Sequence, residues 1–245
     1  MNFSFLSYLL LFLLTIIVEI LGTIGGFGSS IFFVSIAQLF YDFQTVLALT
    51  GLLHVFSNSS KLFLFWNHID WKLVAWLGIS SVVLAIAGAF LTTLITFQYA
   101  RTVLGIFLIA FSILFLAKPD IKIAPTLFNS VAGGALAGFL AGFVGTGGAI
   151  RGLILASFNL KKNLFVGTSA AIDFGVDLSR SIIYLDSDFL ENRMLWYLPF
   201  LLVASFAGSY LGKQLLEKIS QESFRKTLLI IILVMGVLLL VNLDK

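Results

Sequence analysis

The chain has 245 residues, of which 60% are apolar and only 11% carry a charged side chain. Ordinary soluble domains carry about 25% charged residues, so the composition excludes a soluble enzyme, and the mean hydropathy of +1.07 indicates a membrane protein. The net charge of +3 is too small to indicate a nucleic-acid-binding protein, and the absence of cysteine excludes disulfides and thiolate-ligated metals.

Apolar runs of helix length predict the helices of the first half. In chain order these runs cover residues 3–24, 30–40, 45–66, 71–97 and 100–117. A helix that spans a bilayer upright needs about 20 apolar residues, so the second run is too short to cross. No Lys or Arg precedes Lys61, so we expect the first run to remain as a helix and not to be a cleavable signal peptide.

The second half repeats this plan after a polar stretch, residues 118–126, which we interpret as a linker between a first repeat, 1–117, and a second repeat, 127–245. Its apolar runs cover residues 127–144, 149–158, 164–185, 194–211 and 224–241. The glycine cluster around Gly25 recurs 120 residues later around Gly145. Duplicated halves are typical of secondary transporters. The predicted fold is an all-α polytopic membrane protein of two repeats, with eight to ten helical segments.

The distribution of basic residues predicts the orientation. If each long and short helix pair returns to the side that it entered from, the halves are inverted, and nine Lys and Arg lie on one side against three on the other. If each pair crosses once, the split is seven against five. The nine-to-three split fits the positive-inside rule better. We therefore expect a multi-pass protein of the cell (inner) membrane with a cytoplasmic linker and both termini outside the cytoplasm.

Two glycine clusters predict broken helices at membrane depth. Each cluster precedes a short apolar run, so the unpaired amides and the positive dipole end of each short helix favour an anion. Broken backbone is tolerated there only where it faces protein or a water-filled cavity. The alternative is close helix packing through small residues, which needs no ligand. Ser29, Ser30 and Thr146 are candidate hydroxyl donors beside these breaks.

Two helices carry polar and ionisable residues at matching positions. The residues lie at i, i+4 and i+7 on one helix face, and they are His54, Asn58 and Lys61 in the first half and Asp173, Asp177 and Arg180 in the second. Charged groups inside a membrane face a protein interior and mark functional sites by default. Lys61 and Arg180 are candidate anion ligands, and the carboxylates and His54 are candidate ion or proton carriers. The alternatives are a structural Asp177–Arg180 pair and a Lys61 that reaches the interface.

Arg151 follows the second glycine cluster by three residues, so we place it in the first turn of the short helix. A cation there opposes the helix dipole, and a bound anion between the two would reverse that cost. We therefore expect Arg151 to bind the ligand and its loss to leave the stability of the empty protein unchanged. The alternative is that Arg151 reaches the interface or pairs with Asp173 or Asp177, so that its loss destabilises the empty protein.

These paired motifs resemble the TauE/SafE sulfite-exporter family, also called the toluene-sulfonate uptake permease family, over nearly the whole chain. The resemblance is carried by the two glycine clusters, by Thr50 and Asn58, and by Gly167-Thr168-Ser169. It implies a transporter of sulfur-containing anions such as sulfite or sulfonates, driven by an ion gradient. The predicted substrate site comprises Gly25, Gly26, Gly28, Ser29, Thr50, Asn58, Lys61, Gly145, Thr146, Gly147, Gly148, Arg151, Thr168, Ser169 and Arg180.

The predicted carriers of a coupling proton or sodium ion are His54, Asp173 and Asp177. No cofactor, metal or nucleic acid is expected. The expected partners are a small anion and membrane lipid, and a homo-oligomer is left open. Two other classes stay open: a membrane accessory protein that transports nothing, and an intramembrane serine hydrolase that uses Ser29 with His54. The second is the weaker, because the motif has no further supporting context.

Overall fold

The computed structural model describes residues 5–26, 28–37, 41–94, 100–118, 122–145, 147–190 and 192–241. Within these ranges the chain is entirely helical, with ten helices, as the apolar runs predict. They are α1 (Phe5–Gly25), α2 (Ser30–Ala37), α3 (Phe43–Phe65), α4 (Trp71–Leu94), α5 (Ala100–Ala117), α6 (Leu127–Val144), α7 (Gly147–Ser157), α8 (Lys162–Asp186), α9 (Leu198–Lys218) and α10 (Gln221–Val241).

Polar side chains set several helix starts. The Asp42 carboxylate caps α3 by accepting a hydrogen bond of 2.9 Å from the Thr45 backbone N–H, and Thr126 caps α6 in the same way through its hydroxyl. Such caps satisfy backbone donors that have no partner in the first turn of a helix. The sequence did not predict the π-helical segment Val74–Gly78 inside α4 or the 3-10 turn Asn192–Tyr197 before α9.

The packing of the helices is reciprocal between the two halves. Helix α1 packs on α9 and α6 packs on α4; likewise α3 packs on α9 and α8 packs on α4. Two further extensive contacts join helices of the same rank, α3 with α8 and α5 with α10. Exchanging the first five helices with the last five therefore maps these six contacts onto one another.

Small residues allow the closest of these contacts. A Cβ atom at Gly138 of α6 would lie 2.0 Å from the Ser81 carbonyl oxygen of α4, and one at Gly208 of α9 would lie 2.9 Å from the Ile16 carbonyl oxygen of α1. The two backbones approach so closely that no larger side chain fits between them, as is common between helices in membranes. Close helix packing, which needs no ligand, therefore accounts for the glycines at positions 138 and 208.

Each short helix folds back on the long helix before it. A Cβ atom at Gly22 would lie 2.7 Å from the Ser29 backbone nitrogen, and one at Gly147 would lie 2.2 Å from the Ala137 carbonyl oxygen. The breaks contain left-handed glycines, with φ of 74° at Gly26, 98° at Gly28 and 81° at Gly145. L residues with side chains rarely adopt these angles, so the glycines permit both reversals.

Three of the described helices are long and apolar enough to cross a membrane: Trp71–Leu94, Leu127–Val144 and Met194–Lys218, the last of which includes the turn before α9. The helices α3 and α8 carry the two matching trios, whose side chains are buried. At one end of the bundle, Lys162 Nζ donates a hydrogen bond to the Leu216 carbonyl oxygen and Lys213 Nζ donates one to the Leu64 carbonyl oxygen. Lys162 and Lys213, which are among the nine bases predicted to lie on one side, therefore lie at the same end.

Candidate functional site

The crossing of α3 and α8 brings the two predicted trios together in the interior. All six side chains are buried, and Arg180 is only 1% exposed. Equivalent positions of the two halves meet directly, because the Asn58 amide donates a hydrogen bond of 2.8 Å to Asp177 Oδ2. The prediction that these residues face an interior is confirmed for Lys61 as well, so Lys61 does not reach the interface.

Asp177 is the centre of one group of contacts. Its Oδ1 accepts a hydrogen bond of 2.8 Å from Arg180 Nε and lies 2.7 Å from Arg180 Nη2. Its Oδ2 lies 3.5 Å from His54 Nδ1. The structural Asp177–Arg180 pair considered from the sequence is therefore present, and it is linked to the first half through His54 and Asn58.

Glu19 is the centre of a second group, and the sequence reasoning missed it. One carboxylate oxygen accepts a hydrogen bond from the Ser29 hydroxyl, and the other accepts one from the Ser57 hydroxyl. Lys61 Nζ lies 3.3 Å from the latter oxygen and donates to Ser57 Oγ at 2.7 Å. A lone carboxylate inside the first apolar run was a usable signal, since such groups are costly in lipid and mark functional interiors.

The glycine breaks touch these charged groups from both sides. A Cβ atom at Gly28 would lie 3.0 Å from His54 Cε1. On the other side, Arg180 Nη1 lies 3.4 Å from the carbonyl oxygens of Gly145 and Ala141, with geometry that lets it donate to both. Ser29, directly after the first break, lies 3.2 Å from His54 Nε2. The breaks and the trios thus form one continuous site.

Arg151 pairs with a carboxylate of the same half. Its Nη2 donates a hydrogen bond to Asp173 Oδ2, and its Nε donates one of 3.2 Å to Ser169 Oγ. The helix α7 begins at Gly147, so Arg151 is its fifth residue and lies past the first turn, in contrast to the placement expected from the sequence. The sequence leaves open whether Arg151 binds a ligand or pairs with a carboxylate, and the structure shows it paired with Asp173.

The other predicted residues divide between this site and helix packing. Gly25 ends α1, and Gly147 and Gly148 begin α7; all three are buried. The Thr50 hydroxyl donates to the Val46 carbonyl oxygen within its own helix. The Thr168 hydroxyl accepts a hydrogen bond of 2.9 Å from the Asp70 backbone N–H at the end of the bundle. Thr146 lies outside the described residues.

The charges of the site nearly balance. In the described part of the chain, the buried carboxylates are Glu19, Asp173 and Asp177, and the buried cations are Lys61, Arg151 and Arg180, with His54 among them. With a neutral imidazole the buried charges sum to zero. Two cavities, of about 600 and 240 Å³, lie elsewhere, around Phe115 beside α10 and α7. The charged side chains of the site are themselves buried, each at most 6% exposed.

Ser29, His54 and Asp177 lie next to one another in the same sequence of contacts as a serine-hydrolase triad, with the imidazole between the hydroxyl and the carboxylate. In a hydrolase the serine hydroxyl donates its proton to histidine, which is what makes its oxygen a nucleophile. Here the Ser29 hydroxyl also has the Glu19 carboxyl group as a hydrogen-bonding partner, so it is not committed to His54 alone. The contacts fit a polar network between helices better than a nucleophile and its base.

Comparison with known proteins supplies the family. The family profile described as sulfite exporter TauE/SafE matches residues 11–239, which is nearly the whole chain. No curated protein and no solved structure matches the chain. The matched range includes α2 to α9 in full, most of α1 and α10, both glycine breaks and every residue of the buried network described above. The chain therefore belongs to the sulfite exporter TauE/SafE family.

Proposed function

We propose that this chain is a secondary transporter that binds a sulfite or sulfonate anion between two inverted repeats, near the middle of the bilayer. Membership of the family makes it a multi-pass membrane transporter of sulfur-containing anions and not an enzyme. The location of the binding site, the inversion of the repeats and the role of each residue belong to the proposal.

The observation that carries the proposal is the meeting of both glycine breaks with buried cations. Arg180 approaches the carbonyls of the second break, and Lys61 is linked through Glu19 to Ser29 in the first break. An anion that enters here has Arg151, Arg180 and Lys61 as cationic partners, and each of the three is already paired with a carboxylate. The anion competes for these donors, and arginine suits it because its planar fork donates two parallel hydrogen bonds to sulfonate-type oxygens.

The reciprocal helix packing supports the two-repeat arrangement. Inverted repeats related by a two-fold axis exchange their contacts in this way, and their transporters bind substrate at the repeat interface beside broken helices. The helices α3 and α8, which cross at that interface, contribute Asn58 and Asp177 to a direct contact. Because the charged side chains of the site are buried, we propose that transport requires the packed repeats to move relative to each other.

Purified protein in liposomes tests the proposed function. We expect protein-dependent flux of sulfite, a sulfonate or thiosulfate, and we expect Glu222→Gln, which alters an exposed pair on α10, to leave that flux unchanged. Binding and flux that are absent for all three anions would favour an accessory protein without transport.

The proposed orientation predicts the accessibility of single cysteines. Because the chain has no cysteine of its own, Lys122→Cys in the linker and Asp186→Cys at the end of α8 report two opposite sides without background. Both positions are exposed. We expect an impermeant thiol reagent to label Asp186→Cys in intact cells and Lys122→Cys only after the membrane is opened. Labelling of Lys122→Cys from outside would refute the orientation.

A further inference from the structure

Four buried side chains form a continuous row of hydrogen-bonding groups across the interface between the two halves. Ser29 Oγ bonds to one oxygen of Glu19 and lies 3.2 Å from His54 Nε2. On the other side of the ring, His54 Nδ1 lies 3.5 Å from Asp177 Oδ2. All four residues are at most 4% exposed. The row therefore joins a carboxylate of α1 to a carboxylate of α8 through one hydroxyl and one imidazole.

The protons available to this row allow only two complete arrangements. A serine hydroxyl has one proton to donate, and an ionised carboxylate has none. If Ser29 donates to an ionised Glu19, then both ring nitrogens of His54 must carry protons to face Ser29 and Asp177, and the ring is a cation. If Glu19 is protonated and donates to Ser29, then Ser29 donates to Nε2 and the ring is neutral, with its proton on Nδ1.

We propose that Glu19, Ser29 and His54 share one exchangeable proton and that this proton travels with the substrate anion. The two arrangements interconvert when the Glu19 proton moves to Ser29 Oγ while the Ser29 proton moves to His54 Nε2. Charge and proton number are the same before and after, and no bond between heavy atoms changes. This inference rests on the proposed function, and it identifies the coupling ion as a proton and adds Glu19 to its carriers.

The shared proton sets the net charge of the buried site, because the other charges around it balance. The charged groups that interact with His54 are Glu19 of α1 and Asp173 and Asp177 of α8. Arg151 pairs with Asp173, Arg180 pairs with Asp177, and Lys61 lies on the same helix as His54. Helix α2 has no titratable residue, and on α9 Lys213 bonds to Leu64 near the far end of α3. With the shared proton the buried groups carry one net positive charge, and without it they carry none.

This difference in net charge makes anion binding depend on the shared proton. A singly charged anion is neutralised by the site that holds the shared proton. When the proton is absent, the same anion leaves a net negative charge among buried groups. Uncompensated charge is costly in a medium of low dielectric constant. Anion affinity should therefore fall as the pH rises and the shared proton is lost, and one proton should accompany each single negative charge.

Binding of methanesulfonate to the purified full chain, measured by calorimetry from about pH 5 to 8, tests this inference over the range in which histidine commonly changes charge. The charge of methanesulfonate is constant over this range, so the pH dependence comes from the protein. For one linked proton we expect Kd to rise toward a tenfold change per pH unit. Glu19→Gln copies the protonated carboxyl group, so its Kd should not change with pH. Glu222→Gln, at an exposed pair with Lys226, is the matched control and should follow the wild type.

A wild-type Kd that is constant with pH, or a Glu19→Gln variant that keeps the wild-type slope, would overturn the shared proton while leaving anion transport intact. If Glu19→Gln does not fold, a wild-type Kd that is constant with pH still overturns the shared proton. If only sulfite binds, the ratio of the wild-type and Glu19→Gln affinities is compared across pH, since the titration of sulfite itself then cancels. Absence of binding by both anions would instead count against the proposed function.

Discussion

Replacing Arg151 with glutamine is expected to lower the free energy of unfolding by about 3–5 kcal/mol, the usual cost of breaking a buried ion pair from one side. The Arg151 guanidinium is 1% exposed and donates to Asp173, which is itself buried. Glutamine removes the cation and leaves this carboxylate without its partner. The structure thus reverses the expectation from sequence that the empty protein would be insensitive to this change. Denaturant unfolding or the melting temperature in detergent measures the loss.

The double variant Arg151→Gln/Asp173→Asn separates stability from ligand binding. Removing both charges leaves no unpaired ion, so we expect it to recover most of the lost stability. It still lacks the guanidinium, so a sulfur anion should raise its melting temperature less than that of the wild type. If Arg151→Gln alone is as stable as the wild type, Arg151 is not what compensates the charge of Asp173.

A valine at Gly28 is expected to abolish anion transport. The backbone there has φ of 98°, which a β-branched residue rarely adopts, and a Cβ atom would lie 3.0 Å from the His54 ring. The side chain therefore either distorts the first break or displaces His54 from Ser29. Transport of sulfite by the reconstituted variant measures the effect, with insertion into the membrane confirmed by its yield.

Gly175→Ala of α8 is the matched control, because its backbone is not left-handed and its added methyl meets only a side chain of Val82, at 3.0 Å. We expect this variant to transport at close to the wild-type rate. Transport retained in Gly28→Val would place the anion path away from the first break.

The sequence predicted the framework because the signals are local. Apolar runs gave the ten helices to within a few residues in most cases, and the glycine clusters marked both reversals. The matching trios predicted buried polar faces on α3 and α8, and the structure adds that the two faces meet, with Asn58 bonded to Asp177. These features depend on periodicity and duplication, which are readable along one chain.

The partners of the buried charges were harder to predict because they depend on packing between distant segments. Glu19 meets Ser29, Ser57 and Lys61, which lie 10, 38 and 42 residues further along the chain. No spacing rule within one helix connects them. For Arg151, the sequence offered a ligand, the interface, Asp173 or Asp177, and only the placement of α7 beside α8 selects Asp173.

Equilibrium binding of labelled sulfite to the wild type and to Arg151→Gln/Asp173→Asn tests the central claim most directly, because it asks whether the buried site between the two halves holds the anion. We predict one site per wild-type chain and an affinity at least about tenfold weaker in the double variant, which corresponds to the loss of one charge-assisted contact of about 1.4 kcal/mol or more. Equal affinity in two equally folded proteins would contradict the account.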